Sequence, residues 1–176
     1  MSKVHDYIKA LVDEDGPYDG VIGFSEGASL AAALLLEGAS NGDKYSIPMF
    51  RFAVFFNAVN LFSPSTGLGE RMLESDFLSA MDTFTQGQSI NQYPALECVY
   101  ALRANAVPGL IRVPTLHVIG LNDAFRPSSE ELIKLCDGRS AVVVRSTAAH
   151  EMPRGRSLAE VARRLDKMIA TELMAS

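Results

Sequence analysis

Lysine and arginine never gather in this sequence. Sixteen are spread over 176 residues, against 21 acidic side chains, for a formal net charge of −5. No basic patch is therefore available to track a nucleic-acid backbone or an anionic membrane surface. Cysteine is scarce: Cys98 and Cys136 stand alone, without the paired spacing of a metal site, and read as reduced, buried thiols rather than a disulfide. Neither metal nor cofactor is expected. Long apolar runs are missing too. The longest, Ala28 to Leu36 with Ser29 inside it, falls well short of the roughly 20 residues of a membrane span. The opening stretch MSKVHDYIKALVDEDG carries charges throughout and lacks the apolar core of a signal peptide. Together these absences predict a cytoplasmic protein with neither nucleic acid nor membrane as partner. Repeats and low-complexity linkers are absent as well, and 48% hydrophobic residues suffice for one sizeable core, hence one domain over 1–176.

What is present alternates. Val4, Ile8, Leu11 and Val12 give residues 2–14 a helical spacing, with an acidic, glycine-terminated end. A short strand over 20–24 precedes a helix over 26–38 that is apolar on nearly every side and therefore buried. FRFAVFFNAV, at 50–59, reads as a strand covered on both faces, with its body at 51–58. Strands at 113–119 and 140–146 follow, with a helix at 128–136 between them and a closing amphipathic helix at 157–174 bearing Leu158, Val161, Leu165, Met168, Ile169 and Leu173. This pattern predicts an α/β fold: a mostly parallel sheet with helices on both faces and its strands in sequential order.

At 21–36 stands VIGFSEGASLAAALLL, a serine between two glycines where strand passes to helix. It is either a tight turn that happens to contain a serine, or a nucleophile. In Gly-x-Ser-x-Gly, side chains at Gly23 and Gly27 are expected to collide with the neighbouring strand and helix, while the Ser25 hydroxyl is held above the sheet. The following helix aims its amino end there, so the Glu26 N–H favours an oxyanion.

A nucleophilic serine needs a base, and the base an orienting acid. Of the three histidines, His117 lies inside the strand TLHVIG as a core residue, and His5 sits on the first helix facing solvent. His150 follows the last strand in RSTAAHEMP, at a carboxyl end, where α/β active sites collect. Asp123 takes the matching place after the preceding strand, in VIGLNDAFRP. Ser25, Asp123 and His150 thus fall in the chain order of the α/β-hydrolases.

GPYDGVIGFSEGASLAAAL, VPTLHVIGLNDAFRPSSEEL and AAHEMPR resemble the fungal serine hydrolases of the FSH1 family, from about Gly16 onward. The resemblance implies a truncated α/β-hydrolase fold. It also implies an esterase or thioesterase acting on a small-molecule acyl or polyketide ester or thioester in fungal secondary metabolism. Ser25 is then nucleophile, Asp123 acid and His150 base. A second reading keeps the pocket without hydrolysis, as a polyketide cyclase or isomerase or a partner-binding module.

Three features depart from that family. Ala149 stands before the histidine where glycine is usual. Residues 60–111 form a longer segment, with GERMLESDFLSAMDTF and PALECVYALRAN expected to be helical, as a lid over an acyl pocket or as packing against the sheet edge. The chain opens at a helix, without the strands and His-Gly loop that supply a second oxyanion donor in the family. It is then a fragment or a naturally short form, and the uncovered edge of Val21, Ile22 and Phe24 predicts a two-fold homodimer.

Overall fold

The computed structural model describes residues 2–40, 49–59, 61–63, 70–71, 100–106 and 110–174. Along them run helix α1 (Ser2–Asp15), strand β1 (Gly20–Phe24), helix α2 (Glu26–Ser40) and strand β2 (Phe52–Phe56). Then come the short strands β3 (Phe62–Ser63), β4 (Glu70–Arg71) and β5 (Tyr100–Ala101), strand β6 (Thr115–Gly120), helix α3 (Arg126–Lys134), strand β7 (Ala141–Ser146) and helix α4 (Gly155–Met174). The four longer strands form one parallel sheet in the order β1-β2-β6-β7, the sequential order expected of right-handed crossovers.

Alternation along β2 explains why its sequence is apolar throughout. Phe52, Val54 and Phe56 point to one face and pack with Leu116, Val118 and Val144 against Val161 and Met168 of α4. Ala53 and Phe55 point to the other face, where Ala28, Ala31, Ala32 and Leu36 of α2 meet Leu132 of α3. Each face is thus closed by a helix and every residue of β2 is buried. The outer strand β1 behaves differently: it pairs with β2 and leaves Ile22 61% and Phe24 40% exposed. Arg51, just before β2, donates to the Glu172 carbonyl near the end of α4, which ties the sheet to the carboxyl end of that helix. Among the described residues no helix is long and apolar enough to cross a membrane.

Two expectations from the sequence are overturned. Helices were expected at 69–84 and 94–105, yet Glu70–Arg71 and Tyr100–Ala101 pair antiparallel with each other, and β5 pairs also with β3. Cross-strand bonds there satisfy the backbone that a helix would satisfy internally. The remainder of both segments, and with it the lid, lies outside the described residues, as does Cys98. His5, read as solvent-facing, is only 2% exposed. Its Nδ1 lies 3.3 Å from Glu37 Oε2 on α2, so the polar side of α1 carries the contact between helices while Val4 is turned outward. Cys136 agrees with its reading: it is a buried free thiol, and desolvation pushes it up to about 12.

His117 is the core residue the sequence suggested. It is buried on β6, its Nε2 is 3.0 Å from Thr115 Oγ1, and its ring lies 5.3 Å from that of Phe55. Desolvation lowers its pKa from 6.5 to about 4. Between those values the unfolded chain binds a proton that the folded chain refuses, so the stability present above pH 6.5 is lost as pH falls towards 4. One pKa unit corresponds to about 1.4 kcal/mol, so acidification to pH 4 should cost about 3 kcal/mol through this group. Urea unfolding at pH 7 and pH 4 checks it. His117→Gln, which keeps a polar partner for Thr115 but cannot titrate, should show a correspondingly flatter dependence, and an unchanged slope would refute the assignment.

Candidate active site

Between β1 and α2 the chain reverses within one residue. Ser25 has φ 56°, left-handed backbone that an L side chain adopts at a cost of about 1–2 kcal/mol. The bonds around it hold it there. Its N–H donates to Phe56 O at 2.9 Å, and its carbonyl accepts from Ala28 and Ser29 at 3.1 and 3.4 Å as the first turn of α2. Gly23 makes the turn possible: a Cβ there would lie 2.5 Å from Ala28 Cα and from Gly27 O. Gly27 does not share that role, contrary to expectation. A Cβ at Gly27 would meet nothing within 4 Å, because this residue sits on the outer side of α2's first turn. Glu26 opens α2, and backbone N–H groups in a first helical turn have no partner within the helix. Its N–H, together with the helix dipole, can therefore receive negative charge beside Ser25.

Two further strand ends reach this point. After β6, Asp123 sits in a turn closed by its own N–H to Gly120 O at 3.2 Å. Its carboxylate is fully buried, with Oδ1 accepting from Phe125 N at 2.8 Å and Oδ2 lying 2.9 Å from His150 Nδ1. After β7, His150 turns its other nitrogen inward, and Nε2 lies 2.9 Å from Ser25 Oγ. A carboxylate can only accept, so the ring carries its proton on Nδ1 and Nε2 accepts from the serine hydroxyl. The three residues singled out from the sequence are thus joined hand to hand across three strand ends. Such a chain can take a proton from a hydroxyl while the carboxylate fixes the imidazole tautomer.

Aromatic rings close round the imidazole. Phe24 lies 5.3 Å from the His150 ring and Phe125 lies 5.2 Å from it, edge-on at 65°. The sequence marks Phe24 only as an edge residue and assigns neither ring to the site, nor Asn57, which is buried with φ 45° at the end of β2. The apolar run predicts a strand over 51–58 that includes Asn57, but the strand ends at Phe56. An asparagine breaking a Phe/Val run is the one signal present, since asparagine is among the few L residues that enter left-handed backbone readily.

Residues 1–161 match the family described as serine hydrolase (FSH1). Esterase FPY3 of Fusarium mangiferae is 32% identical over 162 residues, covering 90% of this chain and 60% of that protein. Hydrolase FUB4 of Fusarium oxysporum f. sp. lycopersici is 26% identical over 180 residues, covering 88% of this chain and 67% of that one. Among solved structures, a fungal esterase from Rhizomucor miehei superposes with a TM-score of 0.60 at 14% identity, over 98% of this chain and 59% of that one. The chain therefore spans roughly 60–67% of the length of these curated relatives. It belongs to the FSH1 serine hydrolase family, and its sheet has the α/β-hydrolase fold.

Proposed function

We propose that this FSH1-family chain is an esterase or thioesterase that cleaves an acyl or polyketide ester or thioester by way of an acyl-enzyme on Ser25. Ser25 Oγ attacks the carbonyl carbon as His150 Nε2 takes its proton, and the carbonyl oxygen becomes an oxyanion facing the Glu26 N–H. His150 then gives the proton to the departing alcohol or thiol. Water attacks the acyl-enzyme, surrendering its proton to His150, and the acid leaves as Ser25 regains its hydrogen. Asp123 stays ionised throughout and holds the ring. The observation that carries this reading is the continuous bonding from Ser25 Oγ through His150 to Asp123 at 2.9 Å on each side, at a serine held in left-handed backbone. The partly exposed ring of Phe24 beside His150 offers an apolar wall suited to an acyl chain, and the esterase names of the relatives agree with the reaction class.

A fluorophosphonate probe tests the reading at the atom concerned. Peptide mapping should find the label on Ser25, and p-nitrophenyl esters should be hydrolysed with the same Ser25 dependence. Folded protein that takes no label would remove the hydrolase reading and leave the non-hydrolytic pocket in its place.

A further inference from the structure

The histidine of the site stands on a loop, and that loop is gripped almost wholly through its own carbonyls. Asn122 donates from Nδ2 to Thr147 O at 2.7 Å and from its backbone N–H to Ala148 O at 3.1 Å. Gly120 lets the loop come this close: a Cβ there would lie 2.5 Å from Ala149 O and 2.6 Å from Ala148 O. The grip on the far side of His150 comes from Asn57. Its Nδ2 donates to Glu151 O at 2.8 Å and approaches Ala149 O at 3.5 Å, while its Oδ1 accepts from Gly120 N at 2.8 Å. One carboxamide thus spans the residues on either side of His150 and the end of the strand that leads to Asp123.

Asn57 itself is held firmly enough to act as a fixed point. It is 2% exposed, and its N–H donates to Val118 O at 3.0 Å. The two carbonyls after it accept from buried serine hydroxyls, Ala58 O from Ser129 at 3.1 Å and Val59 O from Ser29. These bonds maintain a φ of 45° that would otherwise relax, and strain retained in this way marks a constrained position. The direction of the amide is fixed by chemistry: the oxygen must face the Gly120 N–H and the nitrogen the carbonyls. No other residue type of this size offers a donor and an acceptor in that arrangement.

We infer that Asn57 is the positioning residue for His150, its carboxamide setting the distance of the imidazole from Ser25 and Asp123. The inference rests on the reading of Ser25 and His150 given above, and it concerns a residue that touches neither substrate nor the reacting atoms. Its chemistry makes Asn57→Asp a sharp probe, because the carboxylate keeps the shape and the Gly120 bond but turns an acceptor on Glu151 O. Asn57→Gly is the complement: it relieves the left-handed backbone and removes the carboxamide, so the grip is lost without a new repulsion at Glu151 O.

The test uses both variants in the whole chain, with p-nitrophenyl butyrate as substrate and fluorophosphonate labelling of Ser25 as the second readout. In parallel, the downfield proton resonance of His150 Nδ1–H, bonded to Asp123, reports ring placement without turnover. Displacement of a reacting group by about 1 Å costs about 10²-fold. Folded Asn57→Asp and Asn57→Gly should therefore lose kcat by about that factor with KM little changed, label more slowly, and lose or broaden the resonance. A merely structural role predicts altered melting with kcat per folded molecule intact. Wild-type kcat and an unchanged resonance in either folded variant would overturn the inference. Should the wild-type chain fail to label, the hydrolase reading falls, and the resonance alone decides the positioning role: lost in Asn57→Asp it stands, retained it falls.

Discussion

Ser25→Ala should abolish ester hydrolysis and fluorophosphonate labelling while leaving the fold almost untouched. Loss of a serine nucleophile from a hydrogen-bonded triad lowers kcat by roughly 10⁴–10⁶-fold, which places the variant at the background of any plate assay. The stability side follows from the backbone. Alanine carries the same Cβ as serine, so the cost of φ 56° at this position is present before and after the change. The hydroxyl's bond to His150 Nε2 lies in a half-exposed site where water can replace it, so the change in stability should stay within about 1 kcal/mol. Ser25→Gly separates the two contributions further. Glycine adopts left-handed backbone without penalty, so this variant should melt at or above the wild-type temperature and be equally inactive. Inactivity with preserved or raised stability is the signature of strain held for chemistry. A large drop in melting temperature for Ser25→Ala, or residual labelling elsewhere at the wild-type rate, would instead make the serine a structural turn residue.

The parts of this molecule legible in its sequence are those written in side-chain chemistry or in long periods. Ser25, Asp123 and His150 each stand at the carboxyl end of an apolar run, so reading the strands was enough to bring them to one side of the sheet. β2 was visible because burial on both faces leaves no polar residue to interrupt it, and β6 and β7 because the runs Val118-Ile119 and Val142 to Val144 mark them as strands. The first helix was legible too, but its buried face was not. A histidine counts as polar in any amphipathic pattern, and the partner Glu37 on α2 offsets only part of the cost of burying His5. Two-residue strands such as Glu70–Arg71 contain no period at all, so a helical spacing extending beyond them prevailed in the reading. Gly27 illustrates a different limit. The motif made it look like a steric necessity equal to Gly23, yet only Gly23 faces the backbone of the helix that follows. Asn57 was hidden for the opposite reason: its role lies in backbone carbonyls of a loop distant in sequence, which leave no trace in residue identity.

Asp123→Asn is expected to cost about 10⁴-fold in kcat, the loss associated with a triad whose imidazole is held in the wrong tautomer, with little change in KM. The local bonding dictates which tautomer results. One carboxylate oxygen of Asp123 accepts from the Phe125 N–H at 2.8 Å and the other faces His150 Nδ1 at 2.9 Å. An asparagine here has a choice of two orientations. With its NH₂ towards Phe125 two donors would meet, and the fully buried setting provides no water to relieve them. The amide must therefore keep its oxygen on the Phe125 N–H and present NH₂ to His150. That turns Nδ1 into an acceptor and moves the ring proton to Nε2, which then donates towards Ser25 Oγ instead of accepting from it. The base is lost although every atom stays in place. The variant should fold, because its two local hydrogen bonds are reproduced and a buried charge is removed. Activity should recover in part as pH rises, since hydroxide can take over removal of the serine proton. A folded Asp123→Asn enzyme with wild-type kcat at neutral pH would show that the carboxylate holds the turn before α3 and does not orient the imidazole.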